Sequence, residues 1–266
     1  MSANKLHNLI NYLKDMESAV LSFSGGVDST FLLKALQLSK IRTLAVTACS
    51  ALTPHAELMA AIQIAEELGI NHMVIKTDEL SIEEFIKNGP DRCFICKDKR
   101  FKRLTDISLA EGYKFVLDGS NVDDTLEYRP GIRSAEKHNV KSPLIKCGFS
   151  KQEIRAYSRH LGLPTWDRPS SPCLATRFPY GQRITEDSLK RVEQAEDFLR
   201  ALGFNKLRVR DHGSTARIEV DENEIEFLLV PQIRKKISEY LKRLGYIFIS
   251  LDLDGYKGGV RSQHLT

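Results

Sequence analysis

The chain has 266 residues, enough for one large domain or two ordinary ones, and its 42% hydrophobic and 28% charged content is that of an average globular protein. Its net charge of +4 suits an anionic small molecule and does not by itself imply nucleic acid. No apolar run approaches the ~20 residues of a membrane span, and five cysteines (49, 93, 96, 147 and 173) argue for thiols or ligands over a disulfide scaffold.

In chain order, "MSANKLHNLINYLK" lacks the basic-then-apolar pattern of a signal peptide, so a cytoplasmic location is expected. "NKLHNLINYLKDM" has helical periodicity, and "AVLSFS" (19–24) is a short apolar run ending at glycines. A helix over about 27–39 and a buried strand "RTLAVTA" (42–48) follow. "HAELMAAIQIAEELG" (55–69) is an amphipathic helix closed by glycine, and "NHMVIKT" is the next strand. A helix rich in Lys and Arg (about 91–110) leads to a fourth strand, "KFVLDG" (114–119), and "SKQEIRAYSRHLG" (150–162) adds another helix. Strands separated by helices at this spacing predict a parallel, doubly wound α/β sheet. Composition then changes: "LPTWDRPSSPCLATRFPYGQR" (163–183) holds four prolines and reads as an ordered connection. Beyond it come a helix (about 185–202), paired strands "KLRVRDH" and "TARIEVD", two helices through 221–244 and a last strand "YIFISLD", a smaller α+β domain. The predicted divisions are 1–165, a connecting active-site loop 166–183, and 184–266.

"LSFSGGVDST" (21–30) is the most informative stretch. A strand runs into two glycines and then opens a helix. Gly25 and Gly26 lack a Cβ, so the backbone can close on a phosphate and aim N–H groups at it. The helix amino terminus adds its positive dipole end, and Ser24, Ser29 and Thr30 offer hydroxyl donors. Asp28 joins them as a polar and metal contact, with Thr47 late in the second strand and Gly119 closing the fourth. No lysine sits where a Walker-type loop requires one, which disfavours γ-phosphate transfer. The pattern S-G-G-x-D-S resembles the pyrophosphate-loop ATPases, which cleave ATP between the α and β phosphates and form an adenylate. Such proteins differ chiefly in nucleophile, ammonia in some and sulfur in others, so the fold leaves the product open.

"DGSNVDDTLEYRPG" (118–131) follows the fourth strand, where ligands of an open α/β sheet lie, and Asp123 and Asp124 are placed to hold Mg²⁺ or to order the loop. "SSPCLATRFPYG" (170–181) sets Cys173 in a proline-bounded loop with Arg168 and Arg177 near in sequence, and positive neighbours favour a nucleophilic thiolate. "RCFICK" (92–97) holds Cys93 and Cys96 at a spacing that serves a redox pair, half of a zinc site, part of an iron–sulfur site, or two small hydrophobes on a helix. Cys49 and Cys147 match no motif and are expected in the core. "KDKRFKR" (97–103) reads as a basic solvated helix face before a phosphate contact, and Arg208 and Arg210 alternate along one strand and so share a face.

Taken in order and spacing, "FSGGVDST", "LDGSNVDDTLEYRPG", "CLATRFPYG" and "RVRDHGSTARIE" resemble the LarE family over nearly the whole chain. That family comprises ATP-dependent sulfur transferases of nickel-pincer cofactor synthesis for lactate racemase. The resemblance implies that a carboxylate of pyridinium-3,5-biscarboxylic acid mononucleotide is activated with ATP and Mg²⁺ and converted to a thiocarboxylate. In single-cysteine members a cysteine before "RFPYG" surrenders its sulfur and becomes dehydroalanine, and Cys173 matches that position. With Cys93 and Cys96 present as well, the chain resembles the three-cysteine branch. This implies a [4Fe–4S] cluster on Cys93, Cys96 and Cys173 whose remaining iron carries sulfide. Zinc is disfavoured because no His sits near either motif at ligand spacing. The resemblance further assigns Arg208 and Arg210 to the substrate's anionic groups and Glu196 to the same region, the alternative for the arginines being a solvated strand face. It implies a homo-oligomer and leaves the sulfide source unnamed.

Three rivals fit less well. A tRNA thiolase needs a larger basic surface and usually zinc-binding Cys pairs at its ends, so no stable nucleic-acid partner is expected. An ammonia-using amidotransferase has no use for Cys93, Cys96 and Cys173 together, and an ATP-binding regulatory protein needs no reactive thiol beside the nucleotide.

Overall fold

The structure is a computed structural model that describes residues 3–126, 130–169 and 172–257. The chain runs α1 (Ala3–Lys14), β1 (Ser18–Ser22), α2 (Val27–Ser39), β2 (Arg42–Cys49), α3 (His55–Glu67), β3 (Asn71–Lys76) and α4 (Glu83–Ile86). It continues through α5 (Arg92–Ala110), β4 (Phe115–Leu117), α6 (Pro130–Lys137), α7 (Pro143–Lys146), α8 (Lys151–His160) and α9 (Glu186–Ala201). Last come β5 (Leu207–His212), β6 (Thr215–Val220), α10 (Ile225–Leu229), α11 (Pro231–Arg243) and β7 (Phe248–Leu251). Every long element predicted from periodicity is present, whereas the short helices α4, α6 and α7 carry too few turns to show a period.

Two compact units emerge. The first comprises the described residues up to Glu79 together with Asp91–Arg168; the second comprises Leu80–Pro90 and the described residues from Pro169 onward. The segment 80–90 therefore packs with chain lying some ninety residues further along, which local sequence pattern does not signal.

The first unit holds four parallel strands in the order β3-β2-β1-β4. Successive side chains of a strand point to opposite faces. Accordingly Ala19, Leu21 and Ala45 join one core cluster with Leu32, Ala61 and Ile154, while Val20, Leu44 and Val46 join another with Phe101, Leu104 and Ala135. Both faces are covered by helices, so the unit is the doubly wound α/β sheet the sequence predicts. Helix α2 is buried nearly all round, and Phe31 meets the Phe149 ring at 5.3 Å and the Tyr157 ring at 5.9 Å. Burying one such ring stabilises by about 1.5–3 kcal/mol and fixes where the helix begins. The strand order reverses beside β1, so the carboxyl ends of β1 and β4 form the switch point where ligands of such sheets bind.

The second unit holds a three-stranded sheet in the order β5-β6-β7, with β5 and β6 antiparallel and β6 and β7 parallel. Leu199 of α9 and Ile237 and Leu241 of α11 close its core over Val209, Ile218 and Val220. Helix α9 starts at a reciprocal cap between Thr185 and Ser188. This is the smaller α+β fold expected after the proline-rich connection.

Candidate active site

The loop after β1 is shaped by its own hydroxyls. Gly26 N–H donates to Ser24 Oγ at 3.4 Å, the Ser24 and Ser29 hydroxyls lie 3.1 Å apart, and Ser29 Oγ donates to the Gly26 carbonyl at 3.2 Å. Because the Ser29 proton goes to Gly26, Ser24 donates to Ser29 and the ring of bonds closes. The two glycines do different jobs. Gly25 has φ +70°, and a Cβ there would lie 3.0 Å from the Ala61 Cβ, so backbone and packing both require glycine. Gly26 has φ −76° and ψ 167°, open to any residue, and a Cβ there would meet only Ser24 Oγ, at 3.4 Å. The packing of the chain itself does not require that space.

Two polar atoms at the start of α2 also lack a partner in the protein: Asp28 Oδ1 and Thr30 Oγ1 are buried without a hydrogen bond. The other carboxylate oxygen, Asp28 Oδ2, accepts from Lys151 Nζ at 2.5 Å. Burial pushes the Asp28 carboxyl above its ordinary value, Lys151 pulls it back, and nearby Asp124 adds to the rise. An unsatisfied carboxylate oxygen beside a helix amino terminus fits a bound metal–nucleotide. Lys151 was not singled out by its sequence; the capping box of Ser150 and Glu153 marks only that α8 starts there.

Gly119 closes β4 against this turn, where a Cβ would lie 3.1 Å from the backbone N and Cα of Ser29. Its glycine is thus explained by close packing of the β4 end on α2. Thr47 Oγ1 donates to the Phe23 carbonyl at 2.9 Å and lies 2.8 Å from His72 Nε2, tying β2 and β3 to the residue that enters the loop. Burial lowers the His72 pKa below its ordinary value, with Glu66 opposing. In the loop after β4, Asp123 Oδ2 accepts from Lys151 N at 2.7 Å and Asp124 Oδ2 from Asn121 N at 3.0 Å. Both carboxylates therefore order the loop. Residues 127–129 of this signature and 170–171 of the next lie outside the described residues.

Cys93 and Cys96 open α5, three residues apart and so on one face of its first turns. Cys93 is exposed, and Cys96 Sγ donates to Glu79 Oε1 at 3.5 Å. Glu79 is buried, which would raise its pKa, but Arg100 at 2.9 Å holds it below the usual carboxylate range. All five cysteines are thiols, and Cys49 and Cys147 are half-buried where the core was expected. Lys99, Lys102 and Arg103 of the basic run are exposed. Two thiols on one helical turn fit two ligands of a shared cluster, and among the described residues no group of three His, Cys, Asp or Glu side chains converges on a metal position.

In the second unit Cys173 precedes a 3₁₀ turn, Leu174–Arg177. Its carbonyl accepts from Thr176 N at 3.0 Å and Thr176 Oγ1 at 2.9 Å. Arg177 clamps the turn: Nη1 donates to Pro172 O at 2.8 Å, while Nε and Nη2 reach Glu196 at 2.8 and 3.0 Å. Glu196 is fully buried and also accepts from Arg200 at 3.0 Å and from Val209 N at 3.1 Å. Burial would raise its pKa, yet Arg177 and these donors hold it below the carboxylate range. Arg210 is likewise engaged, with Glu219 at 2.9 and 3.2 Å and Thr176 O at 2.7 Å. Arg208 is 1% exposed, and its guanidinium lies 5.1 Å from the Tyr256 ring centre. Arg168, five residues before Cys173 in sequence, belongs to the first unit and pairs with Glu57 at 3.2 Å.

A parallel doubly wound sheet with a strand–Gly-Gly–helix loop at its switch point places the protein in the pyrophosphate-loop ATPase class. No family model matches the chain. Curated relatives do. It is 38% identical to the pyridinium-3,5-bisthiocarboxylic acid mononucleotide synthase of Lactiplantibacillus plantarum, over 99% of this chain and 96% of that one. It is equally 38% identical to an uncharacterised Synechocystis protein over the full length of both, and 32% identical to one from Methanocaldococcus jannaschii over 95% of this chain and 97% of that one. The chain belongs to the family of that synthase, the LarE family.

Proposed function

We propose that the protein is an ATP-dependent sulfur transferase of nickel-pincer cofactor synthesis, converting a carboxylate of pyridinium-3,5-biscarboxylic acid mononucleotide into a thiocarboxylate. The observation that carries this reading is the near full-length 38% identity to the Lactiplantibacillus synthase. The open Gly26 backbone and the unpartnered Asp28 Oδ1 support it from the side of ATP.

In the first step a substrate carboxylate oxygen attacks the α-phosphorus, the bond to the bridging oxygen breaks, and pyrophosphate leaves. Backbone N–H groups at Gly25 and Gly26 and the α2 amino terminus take up phosphate charge, with Ser24, Ser29 and Thr30 beside them. Asp28, with Asp123 and Asp124 near, would hold Mg²⁺, which would supply charge neutralisation for the departing pyrophosphate. In the second step sulfur attacks the acyl carbon and AMP leaves with the electrons of the C–O bond. A [4Fe–4S] cluster on Cys93, Cys96 and Cys173 would supply a sulfide carrier there. This reading assigns Arg208 and Arg210 to the substrate's anionic groups, Arg210 while it also holds Glu219 and the Thr176 carbonyl, and Glu196 acts through Arg177 to set the Cys173 turn. The protein works as a homo-oligomer on a small nucleotide.

The other sulfur route uses Cys173 itself, whose turn is held rigidly by Arg177. Its thiolate attacks the adenylate, AMP leaves, and loss of the Cys173 α-proton expels the thiocarboxylate to leave dehydroalanine. One experiment tests both routes. Anaerobically purified protein is given ATP, Mg²⁺ and the mononucleotide, with and without sulfide, and pyrophosphate, product and intact mass are followed. Product that requires sulfide, with protein mass unchanged, marks the cluster route; loss of about 34 Da, the mass of H₂S, marks the sacrificial one. Absence of pyrophosphate release with this substrate overturns the proposal.

A further inference from the structure

Segment 80–90 carries the inference. Helix α4 ends at Ile86 with Lys87 as its cap, and Asn88 follows with φ +56°, donating its N–H to the Phe85 carbonyl at 2.9 Å. Glycine is the usual residue for this helix-ending conformation, and asparagine is tolerated at some cost. Here the amide has a use. Asn88 is wholly buried, and its Nδ2 donates to the Pro179 carbonyl at 2.8 Å and more weakly to the Phe178 carbonyl at 3.4 Å. Its own carbonyl accepts from Gly181 N at 3.1 Å, and the Ile86 carbonyl from Ile184 N at 2.9 Å. At the surface Arg183 forks onto Glu83 at 2.7 and 3.0 Å. Residues 83–88 thus run along residues 178–184, and Phe178 is the residue that ends the Cys173 turn.

We infer that Asn88 is a positioning residue for the Cys173 thiol, its side-chain amide fixing the trailing end of the turn while Arg177 fixes the leading end. A buried carbonyl left without its donor costs more than the bond it loses, so the turn settles elsewhere when the amide is removed. This rests on the reading of Cys173 as the place where sulfur is held, and the test separates the two. Two full-length variants are compared with wild type, alkylation being read on protein not loaded with iron and sulfur transfer on protein prepared by whichever route the wild type uses: Asn88→Gly keeps the backbone conformation, and Asn88→Asp keeps the shape but replaces the donor by an acceptor. Peptide-resolved alkylation by iodoacetamide reports Cys173, with Cys147 of the first unit as internal reference.

Both variants are expected to change the Cys173 alkylation rate at least about threefold and to slow single-turnover sulfur transfer about tenfold. ATP affinity and Cys147 alkylation should stay at wild-type values. Wild-type alkylation and transfer in Asn88→Gly overturn the inference, even where Asn88→Asp fails to fold. Equal changes at Cys173, Cys147 and ATP overturn it too, since Asn88 would then hold the whole scaffold. Full turnover in Cys173→Ser would remove the sulfur reading, and the alkylation ratio would still decide for or against Asn88.

Discussion

The phosphate loop of the first unit and the arginine–glutamate cluster of the second treat their buried carboxylates in opposite ways. At the loop, Asp28 spends one oxygen on Lys151 and keeps the other buried and unbonded, with Thr30 Oγ1 in the same condition. In the cluster, Glu196 accepts four hydrogen bonds and Glu219 is held by Arg210 and Arg217. Unsatisfied groups cost stability and persist where a ligand completes them; saturated groups hold a frame in place. In our reading Glu196 therefore belongs to the frame around Cys173 and not to the chemistry, and the loop is the place we propose for a charged ligand.

Breaking the frame gives the largest expected effect. Glu196→Ala leaves Arg177 buried without its carboxylate and should destabilise the protein by about 3–5 kcal/mol, read as a lower denaturant midpoint. Retention of the wild-type midpoint would show that the cluster is not the frame described.

The two glycines sharpen the contrast next. Gly25→Val forces a β-branched residue to φ +70° against Ala61 and should cost stability by roughly 1–3 kcal/mol as well as ATP binding. Gly26→Val should leave the melting temperature near wild type, within about 0.5 kcal/mol, while ATP affinity drops at least about tenfold. A folded Gly26→Val protein that binds ATP normally would remove the loop from the nucleotide site.

Asp28→Asn separates function from stability with a smaller effect. The raised pKa of Asp28 means that its ionised form is a cost at neutral pH: its stability contribution is full below the unfolded value and lost as pH rises through the folded one. The amide should therefore weaken Mg–ATP binding while the ligand-free protein unfolds at the same or a higher temperature. A clear drop in ligand-free stability would contradict the strained-carboxylate picture.

The smallest effect is the pH response of His72. Its folded pKa lies below the ordinary 6.5, so its contribution is present above that value and is lost as pH falls from there through the folded pKa. His72→Gln should flatten this part of the stability curve, measured as denaturant midpoint against pH, and an unchanged slope would assign it to other groups.

Much of this architecture was already written in local pattern. Val27–Ser39 follows from the apolar run into Gly25 and Gly26, β2 and β3 from apolar runs between helical segments, and α9 from the helical stretch predicted over about 185–202. Strand and helix periods are properties of neighbouring residues, so a single sequence displays them. The glycine pair and Asp28 were legible for the same reason, since a strand–Gly-Gly–helix turn is contiguous. Tertiary structure alone decided the rest. Lys151 reaches Asp28 across 123 positions, Asn88 reaches Pro179 across 91, and Arg177, Arg210, Glu196 and Glu219 find partners according to which faces pack together. A charged residue in a sequence announces that it needs a partner or water; only the folded core, by excluding water, determines which partner it must take.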